Sequence, residues 1–570
     1  MEPRMARGVV GVRLLAGLAA AAVLGSLLGG GYVLYVNRLV VGFMSEPLLV
    51  SLLRLAAGLV ALWVGLRLLG LYLEPVGGLF AFSAVLWGLL SLLAASQWAA
   101  LAAVVVLAVP AAGVLAGRGV LRGVAAAAVF TVLLLGPALA GLLHFVGLAE
   151  ASKAVRVVEL DNHIDVSGLQ RLIPLMTAYV YASDRIQSPL HRVYPEDSYI
   201  YYNGSRSVYN WIVEPEGFWN QLTRRPLGVV FVYGDEYPPR VRLVEAPLVW
   251  GLHVRRLRLL PPMFDTLERR IVSAAGVGLE PVMEDNVEVL HGGHVYILVP
   301  LVEWRQSLLA SIPVPAGYAV VNEDGSVRVM SIGEARGSPL LRGVPLLPEA
   351  VARYWVEALR YRHGLVAYLF YHETFRVPDV GANPQPYLLL GPGSRLYWVT
   401  VAEPAGETYS ARYIFYTPTD ATEPVVLAYT LPRPVIGVSK AASYVKQAHP
   451  NYDWGQLTLE EPMPSIINGT LYWKVTITTK DHRGLVSVDL LNAETGEVVS
   501  LRPQPRITSL DALNAILGHS TAKEPKGPVE KLREIRERLA QIQRQLGELQ
   551  RELEQLEKQL EANATETGGR

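Results

Sequence analysis

The chain has 570 residues, 51 basic and 51 acidic side chains, and a mean hydropathy of +0.28. The neutral balance gives no global field that would hold nucleic acid, and no such partner is expected. Cysteine is absent, which excludes disulfide staples and thiol nucleophiles and leaves packing as the source of stability.

Residues 1–150 are almost continuously apolar and read as a five-span transmembrane domain. The spans fall at about 14–36, 48–71, 78–95, 98–117 and 124–147, each close to the length that crosses a hydrocarbon core. Arg4, Arg7 and Arg13 precede the first span, and Arg118 and Arg122 lie between the fourth and fifth. Together they place the N-terminus in the cytoplasm, with Arg38 counting against. Five crossings then make the chain a multi-pass cell-membrane protein, in contact with membrane lipid, whose residues 151–570 are extracytoplasmic. Sequons at Asn203, Asn468 and Asn563 agree with that side. Arg54 and Arg67, inside the second span, read as side chains that snorkel to the headgroups.

Beyond residue 150 the pattern changes to amphipathic helices followed by strand-like runs of Val, Ile, Tyr and Trp. Helical patterns begin near 168, 261, 347 and 439, at intervals of 93, 86 and 92 residues. This spacing predicts four units, at 151–255, 256–340, 341–432 and 433–501, each a helix packed on a short antiparallel sheet. The pairs Tyr397-Trp398 and Tyr472-Trp473 occupy equivalent places in the third and fourth units. The expected fold class is therefore a membrane α-helical bundle, then an α+β ectodomain of repeated helix-plus-sheet units, then a C-terminal coiled coil.

The fourth unit carries a resemblance. A helix from Val438 closes on His449-Pro450, and strands follow that end in Val488-Asp489 and the run Asn492-Ala493-Glu494-Thr495-Gly496-Glu497-Val498. Residues 438–501 thus resemble the PepSY-type module, a cystatin-like α+β fold. The resemblance implies an envelope module that binds or restrains peptidases or helps to assemble surface complexes. It carries no catalytic residues.

Asp161, His163 and Asp165 form the densest polar cluster and are the candidates for metal binding or acid–base work. The plainer reading is a loop that caps the first helix. His291 and His294 flank two glycines and read as a hairpin turn rather than a metal clip; His372-Glu373 lacks the second histidine of a zincin motif. The segment from Asp481 to Gly484 reads as a solvated turn. The aromatic residues between 197 and 219 suit core filling better than sugar stacking. No nucleophile elbow, phosphate loop or dinucleotide fingerprint occurs, and no cofactor is expected.

Residues 502–528 read as a linker with one short helix at 509–518. A coiled coil spans 529–562, and a tail spans 563–570. Leu532, Leu539, Leu546, Leu553 and Leu560 fall at a positions, and Ile535, Ile542, Leu549 and Leu556 at d positions. This stripe predicts a homo-oligomer through 532–560. The expected function is that of a polytopic membrane protein with an extracytoplasmic binding or scaffold domain, with an envelope peptidase as candidate partner. The rivals are a membrane-anchored extracytoplasmic enzyme and a channel or transporter.

Overall fold

β-branched and aromatic runs, cut by turn-forming Gly and Asn, dictate an architecture of sheets. The computed structural model describes residues 32–51, 144–246, 248, 266–364, 374–380, 383–406, 409–503 and 506–521. Among these residues the unit ending at Ala512 holds four multi-stranded sheets. The first runs His191–Arg192, Arg206–Pro215, Gly228–Tyr233, Val241–Glu245, with Tyr199–Asn203 also paired to Arg206–Pro215. The second runs Val327–Ser331, Ser311–Val321, His294–Gln306, Glu280–Pro281, with Val287–His291 also on His294–Gln306. The third runs Arg156–Glu159, Val425–Ile436, Ser410–Pro418, Leu396–Pro404, Phe375–Arg376, with Tyr387–Leu390 also on Leu396–Pro404. The fourth is a meander, Leu457–Ile467, Thr470–Thr479, Leu485–Asn492 and Val498–Leu501. In the third sheet Arg156–Glu159 joins Val425–Ile436 in parallel.

The helices Leu175–Arg185, Leu267–Ala275, Glu349–Leu359 and Val438–Ala448 each precede the antiparallel strands of one sheet in the chain, and Arg156–Glu159 of the third sheet precedes them all. One contact ties helix to sheet in three of the four cases. Tyr209 donates its hydroxyl proton to Ile173 O at 2.7 Å. Trp398 and Trp473 donate their indole N–H to Leu347 O at 2.8 Å and Ile436 O at 2.7 Å. Each accepting carbonyl lies two residues before the first residue of its helix. A buried aromatic on the second strand of a hairpin therefore fixes where the chain enters the helix.

The third sheet is buried on both faces, and side-chain alternation sorts its residues between two cores. Leu388, Trp398 and Phe415 join the apolar cluster of the first two sheets. Leu389, Tyr397, Val399 and Ile414 join the cluster of the fourth.

The membrane bundle is the main correction. The described chain is dominated by sheet, and no described helix is long and apolar enough to cross a membrane. Tyr32–Met44 begins inside the first expected span but has 13 residues, about 20 Å of helix against a core of about 30 Å. Its polar residues face protein partners. Asn37, 2 % exposed, donates to Leu279 O at 2.8 Å and accepts from Gly278 N at 2.7 Å. Arg38 forms a two-pronged pair with Glu268 at 3.1 and 2.6 Å. Leu48 and Leu49, at the start of the second expected span, donate their amide protons to Ser307 O and Leu308 O. Residues 144–154, which overlap the fifth, are helical, with Phe145 against the Tyr361 ring at 5.7 Å. Apolar runs of this length are also what a core-facing helix needs, and hydropathy alone does not separate the two. The polytopic function, the transmembrane-helix description and the multi-pass localisation with residues 151–570 outside all rested on the five spans, and the described structure contradicts them. Residues 52–143, including Arg54 and Arg67, lie outside the described residues, as does the coiled coil at 529–562.

Candidate functional site: a polar cleft beside Arg171

The site begins with a strand whose polar face is buried. In Thr470–Thr479, Leu471, Trp473, Val475 and Ile477 alternate with Tyr472, Lys474, Thr476 and Thr478. The second set reads as solvent-facing, yet Lys474, Thr476 and Thr478 are all 0 % exposed. The segment from Gly168 to Pro174 covers Lys474 and Thr476, and Thr478 turns its hydroxyl to Glu460. Gly168 N donates to Ser465 Oγ at 2.9 Å, Lys474 Nζ to Arg171 O at 2.5 Å, and Thr476 Oγ1 to Leu172 O at 3.4 Å. Side chains of the sheet thus satisfy carbonyls that a strap without secondary structure would leave orphaned.

A bulge aims the counter-charge. Pairing of Leu457–Ile467 with Thr470–Thr479 slips between Glu460 and Met463, and Glu461 takes φ +44° there, an uncommon conformation for a residue other than glycine. The Glu461 carboxylate reaches the Arg171 guanidinium at 3.2 Å and accepts Leu175 N–H at 2.8 Å, serving one orphan donor of the helix Leu175–Arg185. Arg171 Nε donates to the Tyr209 hydroxyl at 2.8 Å. In the amide orientation that satisfies both groups, the Asn383 oxygen accepts from both terminal nitrogens of Arg171. Arg171 and Glu461 are 3 % and 1 % exposed, so this ion pair lies out of water. Burial opposes the Arg171 charge, but Glu461 and Tyr209 hold its pKa above the ordinary value. Burial also brings Lys474 down to about 7, against the pull of Glu461.

Above the guanidinium opens a cleft of about 40 Å³, room for about three water molecules. Its walls include Ser198, Tyr199, Tyr209, Glu349, Asn383 and Trp398. Glu349 is the first residue of the helix Glu349–Leu359, placed by the Trp398–Leu347 contact. Its carboxyl makes no hydrogen bond or ion pair among the described residues. Burial, then the nearby Asp285 carboxylate, raises it to about 8. Close by, the buried Tyr387 hydroxyl finds no partner among the described residues and feels the charges of Glu461, Arg171 and Glu349.

The residues singled out from sequence sit elsewhere. His163 Nε2 approaches Asp165 Oδ1 at 3.3 Å, with the two side chains 25 % and 51 % exposed, and the His163 ring meets Tyr429 edge-on at 5.9 Å. Asp161 is exposed. The cluster lies in the strand-poor segment that next bridges Val166 to Ile466 and Ser167 to Leu390, between the fourth and third sheets. His291 and His294 are exposed partners across a hairpin turn at Gly292 and Gly293. Among the described residues no three His, Cys, Asp or Glu side chains are grouped to hold a metal. Asn203 and Asn468 are exposed at hairpin turns, while Asn563 and His372-Glu373 lie outside the described residues.

Two histidine–carboxylate pairs went unread in the sequence. His449 Nε2 lies 2.6 Å from Asp489 Oδ2 and 3.1 Å from Ser500 Oγ. Because both partners use the same nitrogen, no proton relay from serine through histidine to aspartate is formed. His482, expected in a solvated turn, reaches Glu460 at 2.6 Å. Of the aromatic run, Tyr199, Tyr201, Tyr202, Tyr209 and Trp211 are buried, and Trp219 is 75 % exposed. No family model, curated protein or solved structure matches this chain.

Proposed function

We propose that the chain is a binding protein for a small polar group and that the cleft beside Arg171 is its ligand site. One observation carries this reading. Arg171 and Glu461 pair with each other and Lys474 donates to Arg171 O, whereas the Glu349 carboxyl lines a cavity without a hydrogen bond or ion pair among the described residues. A half-buried carboxyl in that situation is costly, and such groups gather where a ligand completes them. The cleft is half enclosed by aromatic rings with a few convergent polar groups, the usual composition of a small-molecule site. The resemblance of residues 438–501 to PepSY-type modules points to binding as well, and the heptad stripe at 532–560 supports presentation of several copies together.

Calorimetric titration of the full chain with methylammonium, formate and glycine tests this reading, alongside Ser198→Leu, which fills the cleft, and His163→Ala. Wild type and His163→Ala are expected to bind at least one probe, and Ser198→Leu none. Absence of binding to wild type, or unchanged binding by Ser198→Leu, contradicts the assignment.

A further inference from the structure

We propose that the cleft takes an ammonium group, from a free small amine or from the tip of a lysine side chain, with Glu349 as its counter-charge. This rests on the reading of the cleft as the ligand site and adds the sign and class of the ligand.

Two ionisable groups line the position, Glu349 and Arg171, and two more, Asp285 and Arg353, act on Glu349 from nearby. Glu349 supplies a carboxyl with no hydrogen bond or ion pair among the described residues, and the Asp285 carboxylate lies near enough to repel it. Asp285 also accepts Ala350 N–H at 3.4 Å, which holds a second negative charge beside the start of that helix. The two cations in reach are already engaged. Arg171 is held by Glu461, Tyr209 and Asn383. Arg353 is drawn to Asp379 at 2.6 Å and to Gln385 O at 3.1 Å. An anion would therefore find both nearby cations taken and the Asp285 carboxylate close by. A cation meets one free carboxyl.

The walls point the same way. Tyr199 and Trp398 line the cleft, and aromatic faces attract ammonium groups through their ring quadrupoles; the Tyr209 ring is already covered by the Arg171 guanidinium at 5.3 Å. Tyr199 is 7 % exposed, and its hydroxyl, which feels the Asp285 and Glu349 charges, has no hydrogen-bond partner among the described residues. It is placed to accept an N–H. A cleft of about 40 Å³ admits an ammonium and an adjoining carbon, so a longer chain must leave through the mouth.

The test is calorimetry of the full chain at pH 7 in buffers of different ionisation heat, with methylammonium and formate as probes. Methylammonium is expected to bind and to release close to one proton, because the Glu349 carboxyl, raised to about 8, ionises against the cation. Glu349→Gln is expected to weaken binding by about tenfold or more and to abolish the proton release. Tyr199→Phe, which keeps the ring, is expected to weaken binding and retain the release. A lysine-centred tripeptide with blocked ends and its Nε-acetyl form separate the two sources. Tighter binding of the tripeptide, lost on acetylation, assigns a lysine side chain; equal or weaker binding assigns a free amine. Binding of formate in place of methylammonium overturns the inference and leaves the ligand site standing. Binding of neither probe, nor of glycine, removes both. Unchanged methylammonium affinity in Glu349→Gln also overturns the inference.

Discussion

At the scale of single residues, Lys474 shows how a charge is held in an apolar setting. Its ammonium donates to Arg171 O and lies beside Glu461, yet burial dominates and leaves it titrating near 7. The folded-state pKa is below the ordinary 10.5, so its contribution to stability is full above about 10.5 and is lost as pH falls towards 7. The slope in that window is at most about 1.4 kcal/mol per pH unit. Urea denaturation between pH 7 and 10 is therefore expected to show the Lys474→Met variant losing ground to wild type as pH rises. A constant difference between the two across that range would mean that Lys474 is not buried as a neutral amine. Glu349 has the opposite sign. Raised to about 8, it contributes fully below about 4.5 and loses that contribution as pH rises through 8.

At the scale of elements, the bulge in Leu457–Ile467 decides where the buried charge goes. Without the slip at Glu460, strict alternation would not bring the Glu461 carboxylate to Arg171 and to the first N–H of Leu175–Arg185. Glu461→Ala leaves the guanidinium buried without its counter-charge, and chemical denaturation is expected to show a loss of about 3–5 kcal/mol. A loss under 1 kcal/mol would mean that the pair contributes little. Periodicity made the strands Thr470–Thr479 and Leu485–Asn492 readable, and Trp398 and Trp473 stood out as equivalent positions. Their common role, donation to the carbonyl that leads into a helix, depends on the fold and not on any sequence pattern. The cleft was not legible. Lys474 sits where alternation assigns solvent, Arg171 and Glu461 are 290 residues apart, and the strap that buries them has no periodic pattern. Tyr32–Met44 misled for a related reason, since an apolar helix on a sheet and the edge of a membrane span have the same hydropathy.

At the scale of the whole molecule, the third sheet joins the two apolar clusters by giving one face to each, and the strap from Gly168 to Pro174 links the fourth sheet to the first helix. Outside the described residues, the heptad stripe is expected to set the copy number. Light scattering of the full chain should give a mass of two or more chains, reduced to one by Leu546→Pro; an unchanged mass in that variant would remove the coiled coil as the cause. Ligand binding in the cleft turns on the Glu349 carboxyl, and its direct titration is the most telling measurement. Carbon-13 spectra of the Glu-labelled full chain, assigned by difference from Glu349→Gln, follow that carboxyl from pH 4 to 10 with and without methylammonium. A carboxyl titrating near 8 that shifts downward when methylammonium is added is the predicted result. A carboxyl titrating in the ordinary range near 4.5, unmoved by methylammonium, would contradict it.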